Sequence, residues 1–367
     1  MADGPGGLES MVNLPEFYRD KRVLVTGHTG FKGGWLIFWL NKLGARVCGY
    51  GLEPSELSLY RCIEGAGLCQ SQIGDVADFE HLSKVFDDFR PEIVFHLAAQ
   101  PIVREGYRAP RTTYLTNVMG TVNLLECVRL HGCVRSVVNV TTDKVYQNKE
   151  WEWGYRENEP LDGYDPYSNS KSCSELATHS YKNSFLDGNG VAVSTARAGN
   201  VIGGGDFAAD RIIPDCVRAA AAGESIIVRN PYSVRPYQHV LEPLFAYLMI
   251  AATQYADLSK AGYYNVGPDE IDCCHTGELV DIFVKAWNGG LRWIDKHDGG
   301  PHEANFLKLD CSKLRKTFGW KPRWNIKRAV EKTVEWEKCR LAGGNLRECM
   351  NAQIDEFING EETEGYG

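Results

Sequence analysis

Several features that point to other classes of protein are scarce in this chain of 367 residues. The 40 lysines and arginines are outnumbered by 48 aspartates and glutamates, so the net charge is −8, which argues against a nucleic-acid partner. No run of about 18 residues lacks charged or strongly polar side chains, so no membrane partner or span is expected. The first ten residues lack a basic stretch followed by an apolar one, which predicts a cytoplasmic protein without a secretory signal.

Paired cysteine motifs are also missing, although the chain contains twelve cysteines. No two are spaced as C-x-x-C, and several lie in apolar runs, such as those around Cys127 and Cys216. Cysteines spread thinly through a long chain without a signal are typical of reduced, mostly buried thiols. We therefore expect neither a disulfide framework nor a metal site.

The chain does contain a regular alternation of short apolar strands and helices. The predicted strands are Arg22–Thr26, Arg46–Gly51, one ending at Gly74, Glu92–Ala98 and Ser136–Thr141. The predicted helices are one ending near Leu43, Phe79–Phe89 and about Tyr114–His131. Strands that alternate with helices of this length imply βαβ units on a parallel sheet. The sequence thus predicts an α/β protein with a Rossmann-like, doubly wound parallel sheet.

The alternation changes after about residue 200. Gly203-Gly204-Gly205-Asp206 interrupts the pattern, and short strands and helices then mix with turns. We predict a dinucleotide-binding domain over residues 20–200, with later crossovers of the chain. A smaller C-terminal mixed α/β lobe over residues 201–345 is expected to bind most of the substrate.

A glycine-rich turn, TGHTGFKG (26–33), follows the first predicted strand. Gly27 allows a tight turn, Gly30 lets backbone amides approach a diphosphate, and Gly33 permits close packing of helix on strand. The N-terminus of the next helix then faces the phosphate charge. This placement favours a dinucleotide site over an ordinary βα turn. The remaining candidate cofactor contacts in the motif are Thr29, Phe31 and Lys32.

Two further segments fit the adenosine end of such a cofactor. Asp75 and Val76 follow the third strand, where a carboxylate can accept from the adenine amino group. Ala98-Ala99-Gln100 closes the fourth strand with mainly small residues. The second strand ends in Tyr50-Gly51, and Glu53 lies two residues later. An acidic residue usually holds the ribose hydroxyls at this strand end. The residues of this strand therefore do not decide whether the cofactor is NAD or NADP.

Tyr167 and Lys171 form a Y-x-x-x-K pattern on a predicted helix. A spacing of four puts both side chains on one face of the helix. The charge of Lys171, together with that of a positive nicotinamide, would lower the phenol pKa from its usual value of about 10 and make Tyr167 a proton acceptor. The pattern follows the strand-end segment Thr141-Thr142-Asp143-Lys144, and open α/β sheets bind ligands at such strand ends. This combination favours an active site over a surface helix pair.

With these motifs the chain resembles the nucleotide-sugar 4,6-dehydratases of the extended short-chain dehydrogenase/reductase superfamily, most closely those acting on CDP-glucose. The resemblance extends from about Lys21 to Trp336. Relatives acting on dTDP-glucose or GDP-mannose typically have Thr-Asp-Glu where this chain has Thr142-Asp143-Lys144. Segments that carry the resemblance are TGHTGFKGGW (26–35), HLAAQPIVR (96–104), TTDKVY (141–146), YDPYSNSK (164–171), RAGNVIGGGD (197–206) and RPYQHVLEP (235–243).

The resemblance implies NAD as cofactor and a division of roles among the site residues. Thr142 hydrogen-bonds the sugar 4-hydroxyl and Tyr167 takes its proton while hydride leaves C4. Lys144 then removes the C5 proton, Asp143 donates a proton to the departing 6-hydroxyl, and hydride returns to C6. Lys171 holds the nicotinamide ribose. The implied product from CDP-glucose is CDP-4-dehydro-6-deoxy-glucose.

Five further residues are expected to contact the substrate. Arg211 and Arg235 suit the diphosphate because a guanidinium fork matches phosphate oxygens, although both residue types also form ordinary surface salt bridges. Asn200 is expected to contact the sugar or a phosphate, or else to stabilise a turn. By their position in the resemblance, His302 and Glu303 are expected at the nucleotide.

Two other functions remain open from the residues. One is a 4,6-dehydratase, epimerase or decarboxylase acting on another nucleotide sugar, and the other is a dinucleotide-binding regulator without turnover. Lys144 discriminates among the enzymes, since a simple epimerase needs no base at C5. The resemblance also implies a homodimer formed through helices near residues 110–131 and 167–184, or a tetramer assembled from it.

Overall fold

The computed structural model describes residues 12–296 and 306–360. Its strands are β1 Arg22–Thr26, β2 Arg46–Gly51, β3 Gln70–Ile73, β4 Ile93–His96, β5 Ser136–Thr142, β6 Ala192–Ala198, β7 Val201–Ile202, β8 Ile226–Val228, β9 Val234–Arg235, β10 Gln238–His239, β11 Tyr263–Val266, β12 Cys274–His275 and β13 Trp293–Asp295. Its α-helices are α1 Leu14–Tyr18, α2 Phe31–Lys42, α3 Leu59–Cys62, α4 Phe79–Phe89, α5 Val103–Arg108, α6 Pro110–Tyr114, α7 Gly120–His131, α8 Pro166–Tyr181, α9 Ile212–Ala222, α10 Leu241–Ala256, α11 Thr276–Trp287, α12 Ser312–Phe318, α13 Ile326–Leu341 and α14 Leu346–Asn359.

A seven-stranded parallel sheet in the order β11-β6-β5-β4-β1-β2-β3 forms the centre of the molecule. Helices cover both faces because successive side chains of its strands point to opposite sides. In β1, Val23 and Val25 pack in the cluster that holds α2 and α10, whereas Leu24 packs with α4 and α7. The predicted Rossmann-like α/β fold is therefore confirmed. The strand order reverses between β1 and β4, which is where such sheets bind ligands.

Several predicted elements have the bounds that their sequence patterns indicated. Strands β1 and β2 and helix α4 agree with the prediction residue for residue. The predicted helix over Tyr114–His131 begins earlier, at Pro110, where proline is favoured in a first turn. A π-helical turn over Leu115–Met119 joins α6 to α7 without a break. Within the described ranges, no helix combines the length and the apolar character that a membrane span requires.

The chain beyond residue 200 builds a smaller mixed part and also returns to the central sheet. Helices α9, α11 and α13 share an apolar cluster with β8. The almost wholly buried helix α10 packs on β5 and β6, and β11 pairs with β6 as the last strand of the sheet. Residues 241–266 thus belong to the central sheet and the helical layer that covers it. The division into residues 20–200 and 201–345 stays a prediction.

Candidate active site

A cavity of about 1040 Å³ opens at the carboxyl ends of β1, β4, β5 and β6. Its far wall is built by residues of the C-terminal part, from β7 to α11. The predicted site residues that line it are Gly27, Thr29, Gly30, Phe31, Lys32, Gly33, Asp75, Val76, Ala98, Ala99, Thr142, Asp143, Lys144, Tyr167, Lys171, Asn200, Arg211 and Arg235. The fold therefore brings residues from distant parts of the sequence together in one space.

The glycine turn after β1 forms a cradle for an anion. Gly27 has a φ of +74°, which favours glycine, and a Cβ there would lie 2.8 Å from the backbone nitrogen of Ala98. A Cβ on Gly33 would lie 2.1 Å from the carbonyl oxygen of Gly27, so helix and turn can pack only without one. Gly30 caps α2 without a side-chain hydrogen bond to the first-turn amides. The first-turn residues Phe31, Lys32 and Gly33 line the cavity, and the free amides of a helix N-terminus fit the diphosphate of a dinucleotide.

The end of β5 presents a hydroxyl, a carboxyl and an ammonium to the cavity. The Thr142 hydroxyl donates a hydrogen bond of 3.0 Å to Oδ1 of Asp143 and accepts one of 3.4 Å from the backbone N–H of Lys144. Oδ2 of Asp143 is buried without a hydrogen-bond partner. Burial raises the pKa of Asp143, and Lys144 opposes that rise most strongly. The carboxyl group is thus suited to carry a proton that it can donate.

Tyr167 and Lys171 reach the cavity from the first two turns of α8. Asp165 caps this helix, since its carboxylate accepts bonds of 3.0 Å from the backbone N–H groups of Tyr167 and Ser168. The Lys171 ammonium donates a bond of 3.1 Å to the carbonyl oxygen of Val140 in β5. Both side chains are buried at the floor of the cavity.

The protein's own groups do not by themselves bring about the lowering of the phenol pKa that is expected from Lys171 together with a positive nicotinamide. Burial raises the pKa of Tyr167 to about 12, although a hydrogen bond from Thr142 and the charge of Arg211 act in the opposite direction. Burial also lowers the pKa of Lys171 to about 8, against the influence of Glu175. Loss of hydration outweighs the neighbouring positive charges. Tyr167 therefore needs a further cation beside it before it can accept a proton near neutral pH.

The cavity carries positive charge in a chain that is negative as a whole. Seven lysines and arginines line it against four aspartates. The cations are Lys32, Arg104, Lys144, Lys171, Arg211, Arg229 and Arg235, and the aspartates are Asp75, Asp143, Asp206 and Asp210. A cleft with this balance attracts anionic ligands.

A buried ion pair lies beneath the site. Arg197 in β6 donates two bonds of 2.9 Å to the carboxylate of Glu175, which lies one helical turn after Lys171 in α8. Glu175 also accepts hydrogen bonds from the hydroxyls of Thr141 in β5 and Thr195 in β6, at 2.5 and 2.7 Å. Every oxygen of this carboxylate is satisfied, as a buried charge requires. The pair fixes α8 against the two strands that end at the cavity.

Comparison with known proteins identifies the family. The sequence profile of the family described as GDP-mannose 4,6 dehydratase matches residues 24–333. A CDP-glucose 4,6-dehydratase of Salmonella typhimurium is 47% identical over 350 residues, which cover 94% of this chain and 98% of that protein. This chain belongs to the nucleotide-sugar 4,6-dehydratases.

Solved structures agree with the fold of this 4,6-dehydratase. A Thermus thermophilus UDP-glucose 4-epimerase in complex with NAD superposes with a TM-score of 0.75 at 25% identity, over 86% of this chain and 99% of the epimerase. A Bacillus anthracis dTDP-glucose 4,6-dehydratase, also with NAD, gives 0.73 at 20% identity, over 89% of this chain and 99% of the other.

Some residues that the sequence suggested for the site of this 4,6-dehydratase have other places. Gln100 does not line the cavity; its side chain donates to Thr113 at 2.9 Å and accepts from the backbone N–H of Ile102 at 2.6 Å, so it shapes the loop after β4. Glu53 points away from the cavity and pairs with Arg61 at 3.0 Å. The predicted contacts His302 and Glu303 lie outside the described residues.

Other site residues of the 4,6-dehydratase were missed by sequence reasoning. Arg104 and Arg229 line the cavity. Arg104 is the last residue of the segment HLAAQPIVR (96–104), whereas Arg229 lies outside the segments that carry the resemblance. Glu175 and Arg197 do not reach the cavity but fix the elements that do. The spacing of four between Lys171 and Glu175 was the one available signal, since it places both on the same face of α8.

Proposed function

We propose that this protein catalyses the NAD-dependent dehydration of CDP-glucose to CDP-4-dehydro-6-deoxy-glucose. The observation that carries the proposal is the buried carboxyl group of Asp143, whose unpartnered Oδ2 shares one cavity with Tyr167, Lys171 and Lys144. A proton donor and a separate proton acceptor are what the elimination of water requires. The substrate is inferred from the 47% identity to the Salmonella CDP-glucose 4,6-dehydratase.

The first half of the reaction is oxidation at C4 of the sugar. Bound NAD would supply a hydride acceptor, and a positive charge on its oxidised nicotinamide ring. The glycine turn around Gly30 and the ammonium of Lys171 would hold it. Tyr167 accepts the proton of the 4-hydroxyl, and Thr142, which lines the same cavity, orients that hydroxyl.

The second half is the loss of water across C5 and C6. The 4-ketone acidifies the C5–H bond, and Lys144 takes that proton. Asp143 gives its proton to the 6-hydroxyl, so that the C–O bond breaks and water leaves. The raised pKa of Asp143 keeps its carboxyl group protonated to a higher pH than that of an ordinary aspartate, which suits this role.

The experiment that tests the proposal follows product and label together. The protein is incubated in turn with CDP-, dTDP-, UDP- and GDP-sugars, and formation of the 4-keto-6-deoxy product is measured. CDP-glucose deuterated at C4 should give product deuterated at C6. Loss of the label to solvent would contradict the proposed reaction, and an epimer as product would indicate an epimerase instead.

We further propose that the protein works as a cytoplasmic homodimer. Apolar side chains are exposed on the helices predicted to pair, with Leu115 and Met119 on one side and Leu176 and Phe185 on the other. All twelve cysteines are free thiols, which fits a reducing compartment. Light scattering after size exclusion should give the mass of two chains, and Leu176→Glu should give that of one.

A further inference from the structure

Three charged side chains form a bridge along the wall of the cavity. The Asp210 carboxylate accepts a bond of 2.7 Å from Arg229, which directly follows β8 in the C-terminal part. The same oxygen lies 4.0 Å from Nε of Arg104, in α5 on the opposite side. All three residues line the cavity. A single carboxylate thus lies between two guanidinium groups in a space that must admit an anionic ligand.

The backbone at Asp210 is strained in this position. Its φ is +61°, in the left-handed region that costs a side-chain-bearing residue roughly 1 kcal/mol. The residue lies on the loop between the glycine break at 203–205 and the start of α9. Contact with the guanidinium groups offsets the backbone strain at Asp210. When a stronger anion takes those contacts, the strain favours a change in the conformation of the loop.

We propose that Arg104 and Arg229 join Arg211 and Arg235 in binding the diphosphate of the nucleotide sugar. Asp210 is then an internal counter-ion which this diphosphate displaces. The inference rests on the proposed function for the identity of the ligand. A guanidinium fork binds phosphate oxygens in two parallel hydrogen bonds, with more charge than one carboxylate offers. The carboxylate and the diphosphate repel each other, so Asp210 leaves as the substrate enters.

A diphosphate can also come from the dinucleotide, but the layout of the cavity favours the sugar nucleotide. The cradle for the dinucleotide is the turn before α2, where Lys32 is half-buried. The charged groups that act on Lys32 are Arg211, Lys171, Asp143 and Asp206. The bridge lies further along, where β8 and α5 form the wall.

The test measures binding of CDP and of NAD separately, by calorimetry on the full-length protein. Asp210→Asn removes the competing charge while asparagine still tolerates the left-handed backbone. CDP should bind about threefold to tenfold more tightly, which is the size expected for one partly exposed ion pair. The affinity for NAD should stay within about twofold of the wild type.

Asp215→Asn is the matched control. Asp215 accepts a bond of 3.0 Å from the other arm of Arg229, but it lies in α9 outside the cavity lining. The variant therefore removes one carboxylate beside the same guanidinium, although Asp215 also pairs with Arg218. Because the diphosphate does not displace Asp215, CDP affinity should change by less than about twofold. An equal gain in both variants would reveal a long-range charge effect and overturn the proposal.

The opposite wall supplies an independent variant. Arg104→Gln should weaken CDP about fivefold or more and leave NAD binding unchanged. The proposal would be overturned if Arg104→Gln left the CDP affinity unchanged. It would also be overturned if Asp210→Asn bound CDP no more tightly than the wild type. Wild-type protein that binds UDP or dTDP instead of CDP would contradict the proposed substrate, and the same variants measured with that nucleotide would still decide the role of Asp210.

Discussion

Replacing Asp143 with asparagine should separate the two halves of the proposed reaction. Asparagine is nearly isosteric, and its Oδ1 can still accept the 3.0 Å bond from Thr142, so the end of β5 should keep its shape. The change removes only the proton that Oδ2, buried and without a partner, is placed to donate. General acid catalysis contributes roughly 10²- to 10⁴-fold. Formation of the 4-keto-6-deoxy product should fall by that factor, which corresponds to about 3–5 kcal/mol of barrier.

The assay for Asp143→Asn reads three signals on one sample. Product formation should fall, reduced cofactor should accumulate on the protein, and the C5 hydrogen should still exchange with deuterated solvent because Lys144 is intact. In the wild type, activity should decline as pH rises through the raised pKa of Asp143, since the protonated form is the active one. Product at more than about a tenth of the wild-type rate would refute the assignment of Asp143 as the acid.

Three further changes test other parts of the structure. Tyr167→Phe keeps the ring but removes the proton acceptor. Turnover should therefore fall about 10²-fold or more, while the melting temperature hardly changes. Near-normal activity would mean that the base is misassigned. Lys144→Met should keep C4 oxidation but abolish exchange of the C5 hydrogen with deuterated solvent, and exchange at the wild-type rate would exclude Lys144 as the base. Burial raises the pKa of Glu242 from 4.5 to about 8. The folded protein therefore keeps a proton on Glu242 that the unfolded chain releases at lower pH. The stability that this proton contributes is lost as pH rises through about 8. The melting temperature of Glu242→Gln should therefore drop less between pH 5.5 and 8.5 than that of the wild type, by about 3 °C or more, and equal drops would contradict the role of Glu242.

The sequence predicted the parts of the fold that local patterns encode. Strands β1 and β2 are short apolar runs flanked by polar residues, and α4 has the spacing of an amphipathic helix between Asp78 as its cap and Arg90 in a left-handed conformation. Membership of β11 in the central sheet could not be predicted in this way. Its pairing with β6 joins residues about 70 positions apart, and nothing in Tyr263–Val266 distinguishes this strand from those of the smaller part.

For the site, residue types were easier to predict than energetics. The fold places Tyr167, Lys171 and Thr142–Lys144 in one cavity, as strand ends and helix spacing indicated. The degree to which burial raises the pKa of Tyr167 could not be predicted, because burial depends on tertiary packing. His28 in the glycine motif is fully buried and hydrogen-bonds Ser71 at 2.7 Å, so it packs beneath the glycine turn.

The ion pair beneath the site links the assembly of the sheet to the appearance of activity. Arg197 donates to the hydroxyl of Tyr146 at 2.9 Å, and that hydroxyl donates to Asn265 in β11 at 2.6 Å. The polar chain therefore connects α8, β5 and β6 to a strand that is synthesised about 120 residues after Tyr146. Until β11 docks, Tyr146 lacks its acceptor on that strand, and the segment that carries Asp143 lacks one of its anchors. A nascent or truncated chain that ends before β11 should thus contain all five proposed catalytic residues and yet have no organised active site.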